Sequence, residues 1–275
     1  MKDEMQFLYR VLDTIQAYLQ DIILIGGFAS LLYRFHEEAT QIDSHYLITF
    51  DVDLAAEGKI PVRGDNSIHD LLEKAGFECK LLGNFEEPIV KYYPTEIKES
   101  KYYVEFLSPL SGLGTKRNGK PDLIETIQKD LSAQKLRYLD LLMKSTSKVH
   151  TSSISDLQEQ PDLIVRIPDP SMYIMQKILI LKERGPTDRN KEYAYIYQTL
   201  TCFRKHLKSL ARRYEVLITN QDWKRWYFNF LRLSHDLFRK PESDGSFEAA
   251  KILDDVTPKM VSAVVMNFIR NCPKI

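Results

Sequence analysis

The chain has 275 residues, with 38 Lys and Arg against 38 Asp and Glu, so its formal net charge is zero. That balance excludes a global field drawing the molecule to nucleic acid or to an anionic membrane; a nucleic-acid partner would have to meet a local patch. Charged residues at 28% and hydrophobic residues at 44% are globular proportions, in a chain long enough for one large domain or two small ones.

Three cysteines, Cys79, Cys202 and Cys272, are odd in number and widely spaced. They fit neither a disulfide framework nor a zinc site and suit a reducing cytoplasm. The opening MKDEMQF lacks the basic-then-apolar layout of a signal peptide. No apolar run approaches the ~18–20 residues of a membrane span. A cytoplasmic protein with no membrane partner is expected.

Residues 3–20 carry apolar positions at Leu8, Val11, Leu12, Ile15, Tyr18 and Leu19, the spacing of an amphipathic helix laid on a sheet. Residues 22–25 read as a short buried strand ending at Gly26-Gly27, and a helix follows over 28–35. A polar connection over 36–44 leads to a β-rich run, 46–54, that delivers Asp51 and Asp53. Residues 59–66, with Pro61 and Gly64, form a loop. A helix over 67–75 has Ser67 as N-cap and closes at Gly76. Strands are expected at 77–82, 89–93 and 102–107, the last carrying Glu105. A Gly- and Lys-rich loop spans 111–120, and 131–143 is expected to be helical. The polar stretch 145–160 has room for a short exposed strand and marks a boundary. Residues 163–167 form a strand stopped by Pro168 and Pro170. Everything beyond reads as helix: 171–184, 191–213, 222–238, 247–253 and 258–270. The sum is an α+β chain, a mixed β-sheet domain with flanking helices over 1–160 followed by a mainly helical domain over 161–275.

Asp51 and Asp53 alternate along their strand and so point to one face. Like charges that close repel unless a cation lies between them. A paired-glycine turn opening a helix offers backbone N–H groups to a phosphate, with Ser30 nearby as a hydroxyl donor. Together these point to a metal-dependent site acting on a nucleoside triphosphate. The bland alternatives are a solvent-facing Asp pair and a turn that needs glycine for geometry alone. Glu105 shares a strand face with Tyr103 and Leu107, as a base on an incoming hydroxyl or an ordinary surface Glu.

The pattern apolar-Gly-Gly, then apolar-Asp-apolar-Asp-apolar, resembles the signature of the polymerase-β-type nucleotidyltransferase superfamily. A third carboxylate sits there on a neighbouring strand, and Val104-Glu105-Phe106 offers it here. Further on, VRIPDPSMYIMQKILILKERGPTDRNKEYAYIYQTL resembles an uncharacterised bacterial branch related to the toxin-like (AbiEii-type) proteins of abortive-infection systems. The resemblance covers roughly residues 20–205. It implies a nucleotidyltransferase-like fold and a Mg²⁺ (or Mn²⁺) cofactor held by catalytic Asp51, Asp53 and Glu105. It also implies an NTP held by Gly26, Gly27, Ser30, Lys177 and Lys191. An NMP would pass to an acceptor hydroxyl on RNA or tRNA, on a protein or on a small molecule, under an antitoxin-like partner.

Lys177 lies among Met172, Ile174, Met175, Ile178 and Leu181. Its phosphate role competes with a snorkelling Lys at the edge of a packed helix. Arg184, Asp188, Lys191 and Glu192 follow, with Glu192 where relatives carry Asp; it could bind a metal-bound water or orient Lys177. That variant, the Glu at position 105 and the long spacing from Gly27 to Asp51 motivate a second expectation, a catalytically inactive nucleotide- or RNA-binding regulatory module. Basic clusters (Lys116-Arg117 with Lys120, Arg204-Lys205-His206, Arg212-Arg213, Lys224-Arg225) stand near Phe203, Tyr214, Trp223, Trp226 and Tyr227, a mixture that could hold RNA. Helical spacing of Trp223, Trp226, Tyr227, Phe230 and Leu231 favours core, and the charges favour solvated faces.

Overall fold

The computed structural model describes residues 2–40, 46–82, 89–97, 99–112 and 114–274. The chain divides into two compact units, Met1–Phe35 with Ile48–Pro168, and His36–Leu47 with Asp169–Ile275. The expected α+β class holds: the first unit carries a mixed sheet and the second is helical.

In the first unit, α1 (Lys2–Thr14) buries Met5, Leu8, Val11 and Leu12, the apolar stripe that its helical spacing dictates. β1 (Ile22–Ile25) is buried throughout and runs directly into α2 (Gly26–Leu32). After a 3₁₀ turn the chain departs, returning with β2 (Asp51–Ala56), α3 (Ile68–Lys74), β3 (Phe77–Leu82), β4 (Ile89–Pro94) and β5 (Tyr103–Pro109). Then come β6 (Ile124–Gln128), β7 (Leu131–Leu136), α4 (Leu139–Lys144), β8 (Thr146–His150) and β9 (Ile164–Pro168). Among the described residues the main sheet has the order β1-β2-β5-β4-β3, with β7 also on β5 and β6 on β7. β2 and β7 run parallel to β5; β1 on β2, and β4 on β5, are antiparallel. Ser67 caps α3 as expected, its Oγ accepting from Asp70 N, and the structure adds the reciprocal contact, Asp70 Oδ2 accepting from Ser67 N at 2.8 Å.

Four expectations need correction, one of them in the helical unit, where the single helix expected over 191–213 is two, Pro186–Cys202 and Leu207–Arg212. Residues 131–143 are not one helix: 131–136 are β7, and only 139–144 are helical. Leu131 and Ala133 alternate inward, and Asp130, with φ at 59°, turns the chain back from the unexpected β6. A run this short satisfies either period, and pairing with β5 decides it. The β-rich run begins at Asp51, not at residue 46, because the ladder to β5 starts at the Asp51–Tyr103 pair. The sheet-bearing unit also runs beyond residue 160, since β9 pairs along its length with β8.

The second unit comprises α5 (Pro170–Ile180), α6 (Pro186–Cys202), α7 (Leu207–Arg212), α8 (Gln221–Phe238), α9 (Asp244–Ile252) and α10 (Pro258–Asn271). Tyr227 and Phe230 of α8 are fully buried beside Tyr214, whose hydroxyl donates to the Ser171 carbonyl at 2.7 Å. Trp223 and Trp226 are half-buried, so the aromatic stripe is core with a wet end. Most of the basic residues (Lys116, Arg117, Lys120, Arg204, Lys205, Arg212 and Arg225) are exposed.

This unit also explains the long spacing from Gly27 to Asp51. The intervening His36–Leu47 folds with the helices. Thr40 N donates to the Cys202 carbonyl at 2.7 Å, and Arg213 Nη2 meets Glu38 Oε2 at 2.6 Å. His36 stands edge-on to Phe203 at 5.2 Å. The expected 36–44 loop falls partly on 41–45, outside the described residues. Cys79, Cys202 and Cys272 are free thiols. Among the described residues no helix is long and apolar enough to cross a membrane.

Candidate active site

The register of the main sheet draws one row of residues across five strands. Ile25 stands opposite Asp53, Asp53 opposite Glu105, Glu105 opposite Lys91, and Lys91 opposite Lys80. Residues directly opposite in a sheet share a face. Two positions toward the start of β2, Asp51 lies opposite Tyr103 on that same face. The other face carries Val52, Leu54, Tyr92, Val104 and Phe106, all buried. Strand alternation therefore sends the charged set to one side and the core to the other. Asp51, Asp53 and Glu105 thus lie on the same face of the sheet.

Each carboxylate has a different neighbour. Asp51 Oδ1 accepts from the hydroxyl of buried Thr49. Asp53 is 8% exposed and lies against the strand-to-helix turn. A Cβ built on Gly26 would come within 1.7 Å of Asp53 Oδ2, and Gly26 has φ +65°. The glycine is needed twice over, for a left-handed backbone and for the close approach of a carboxylate. Glu105 Oε2 is 3.3 Å from Lys91 Nζ, the two side chains 16% and 19% exposed. The same ammonium stands 3.7 Å from the centre of the Tyr103 ring. Burial pushes the Tyr103 phenol well above its usual range, and the nearby carboxylates of Asp51, Glu105 and Asp53 push it further.

A family model described as nucleotidyltransferase matches residues 5–217. The chain belongs to the nucleotidyltransferase family. No match was found among curated proteins. Family membership supports transfer of a nucleoside monophosphate in general and an NTP substrate, and it agrees with the mixed sheet and flanking helices.

A nucleotidyltransferase of this type implies a divalent cation, and the residues can be tested for it. Among the described residues, no group of three His, Cys, Asp or Glu side chains is arranged to hold a metal ion. The expected triad of Asp51, Asp53 and Glu105 is therefore not assembled as such; Glu105 is engaged by Lys91. Magnesium, however, is normally bound through one or two carboxylates together with phosphate oxygens and water. Asp51 and Asp53, two carboxylates on one strand face, fit that mode.

The other expected nucleotide residues fall into distinct places. Gly26 and Gly27 form the first turn of α2. Ser30 lies further along it, buried, its hydroxyl without a hydrogen-bond partner among the described residues. In the helical unit, Lys177 is only 5% exposed and so does not snorkel. Its Nζ is 2.7 Å from Glu192 Oε2 and lies near the rings of Tyr173 and Tyr195, at 5.1 and 5.4 Å. Arg184 Nε approaches the other Glu192 oxygen at 3.5 Å. Lys177 and Glu192 are thus a buried ion pair between α5 and α6. Lys191, next to it, is exposed.

Sequence reasoning missed Lys91 and Thr49. The alternation in IVKYYP, with Tyr92 inward and Lys91 and Tyr93 outward, could have put Lys91 on a strand's polar face. Only the β4–β5 register puts it opposite Glu105.

Proposed function

We propose that this chain is a divalent-cation-dependent nucleotidyltransferase that moves an NMP from an NTP to an acceptor hydroxyl. The observation that carries this is the row in which Asp53 stands between the Gly26 turn and Glu105, with Asp51 on the same face. Asp51 and Asp53 would hold Mg²⁺ or Mn²⁺, which would neutralise charge on the triphosphate and the leaving pyrophosphate. The Gly26-Gly27 turn lets a phosphate approach the backbone closely. Thr49 fixes one Asp51 oxygen and so aims the other. Glu105 takes the proton of the attacking hydroxyl, while Lys91 holds its carboxylate in place. The acceptor oxygen bonds to the α-phosphorus, the bond to the β-phosphate oxygen breaks, and pyrophosphate leaves. An RNA or tRNA end, or a protein side chain, is the acceptor class favoured by the toxin-like resemblance, with an antitoxin-like partner and a cytoplasmic site of action.

The Lys91–Glu105 pair also favours a second reading, a catalytically inactive nucleotide- or RNA-binding regulatory module whose third carboxylate is permanently neutralised. The two part in one experiment, using α-labelled ATP, GTP, CTP and UTP with Mg²⁺, total bacterial RNA and protein, and an Asp51→Ala/Asp53→Ala control. Label transferred by the native chain and not by the variant supports transfer and names the acceptor class. NTP binding that the variant loses, with no label moved, supports the regulatory module. Equal labelling by both removes these carboxylates from the mechanism.

A further inference from the structure

The sheet-bearing unit has a second polar feature that the carboxylate row does not use. An open cleft of about 660 Å³ lies against the β8–β9 ribbon, lined by Gln16, Leu19, Gln20, Lys148, Ile164 and Arg166. It contains none of Asp51, Asp53, Glu105 or Lys91.

Two of its side chains are placed against electrostatic preference. Lys148 and Arg166 stand directly opposite each other in the antiparallel register. Like charges in that position repel and weaken the ladder. Lys148 is exposed and has no ion-pair partner among the described residues. Arg166 is fixed by a hydrogen bond from Nη1 to the Gln20 carbonyl at 2.6 Å, a neutral partner that leaves its charge uncompensated. The carboxylate on this wall, Asp162, is already committed. Its Oδ2 is 2.7 Å from His150 Nδ1, and its Oδ1 accepts from Ser152 N at 2.9 Å. The cleft therefore presents two positive charges against one carboxylate, Asp162, whose oxygens are already turned to His150 and Ser152. Beside them lie Leu19 and Ile164, the latter 47% exposed, and the amides of Gln16 and Gln20. The volume falls within the range of small-molecule sites and is far more than a bare phosphate fills.

We propose that this cleft binds a nucleoside phosphate, with the phosphate between Lys148 and Arg166 and the base against Leu19 and Ile164. The same chemistry is offered by a free mononucleotide and by a nucleotide unit of single-stranded RNA. The proposal does not rest on nucleotidyl transfer, because binding alone reads it.

The test titrates the full chain, carrying Asp51→Ala/Asp53→Ala to silence the carboxylate row, with AMP by calorimetry and with a short fluorescein-labelled single-stranded RNA by anisotropy. Lys148→Glu and Ile164→Asp are then added singly. Lys148→Glu should weaken binding about tenfold or more, and Lys148→Ala should lower the slope of log K against log salt for RNA by about 0.7. Lys148→Glu places an acid opposite Arg166, so its thermal midpoint should be unchanged or raised. Binding of both probes assigns the site to the nucleotide unit itself; binding of RNA alone assigns it to a nucleic-acid chain. Absence of binding to both probes, or affinity untouched by Lys148→Glu or by Ile164→Asp, overturns the proposal.

Discussion

Two Lys–Glu pairs of this molecule use the same chemistry in opposite surroundings. Lys91–Glu105 bridges neighbouring strands on the polar face of the sheet, at 3.3 Å, with both side chains still in partial contact with solvent. Lys177–Glu192 joins α5 to α6 at 2.7 Å, with side chains 6% and 7% exposed and Arg184 as a second cation. Desolvating two charges costs several kcal/mol each, so the inner pair stands only because each ion satisfies the other. The outer pair carries a smaller penalty and can exchange its lysine for another cation. The comparison separates a charge that holds the fold from a charge free to take part in chemistry.

The largest expected effect tests that contrast directly. Lys177→Ala leaves Glu192 buried with only Arg184 at 3.5 Å, and should destabilise the protein by about 3–5 kcal/mol in urea unfolding. The double variant Lys177→Met/Glu192→Leu should recover most of that loss. Lys91→Met should cost only about 1 kcal/mol. Equal losses for Lys177→Ala and Lys91→Met would abolish the distinction.

Next comes the turn beside the outer pair. Gly26→Ala should cost at least about 1–2 kcal/mol for the left-handed backbone alone, plus the collision with Asp53 Oδ2. Adding Asp53→Ala removes the collision but not the backbone cost, so a double-mutant cycle should show strong coupling. Independent effects would mean that Asp53 does not press on the turn.

A smaller effect sharpens the exchange idea. If Lys91 and a divalent cation compete for the same carboxylate patch, Mg²⁺ should raise the thermal midpoint of Lys91→Met more than that of the native chain. It should leave the response of a Lys177→Met variant no larger than native. A smaller Mg²⁺ shift in Lys91→Met would make the lysine a supporter of cation binding instead.

The smallest effects are in acid, and they begin in different units. Burial lowers His36 below its usual value of 6.5, an effect that Glu38 and Glu37 partly offset. Its unfolded form binds more protons, so the stability contributed by neutral His36 is full above about pH 6.5 and falls as pH drops through that value. In the sheet-bearing unit, the hydrogen bond from His150 and that from Ser152 N hold Asp162 down at about 2 from 3.8. Its contribution is present above about pH 3.8 and is lost as pH falls toward 2. Urea midpoints across pH 7.5 to 2 should therefore show His36→Phe flattening the upper part of the curve and Asp162→Asn the lower part.

Much of the first unit was legible in sequence because its signals are local. The α1 stripe, the Ser67 cap, the paired glycines and the alternation of Asp51 with Asp53 each depend on a few adjacent residues and a fixed period. Most helices of the second unit were legible for the same reason. The β6–β7 hairpin was not, because Leu131, Ala133 and Leu136 can satisfy a strand or a helix, and pairing with β5 settles which. The partner of Glu105 was not legible either, since Lys91 is linked to it only through a non-local register. Nor could the string of residues show that His36–Leu47 folds with the helices, which is why the glycine turn and the Asp strand lie so far apart in sequence.

The sequence by itself thus marked Asp51, Asp53 and Glu105 as candidates, with the glycines before them, and a sheet-bearing stretch followed by helices. The tertiary structure alone decided the neighbours: Asp53 against Gly26, Glu105 against Lys91, Lys148 against Arg166. The physical reason is that periodicity assigns a side chain to a face, whereas strand register and close approach, which depend on residues far apart in the chain, assign it a partner.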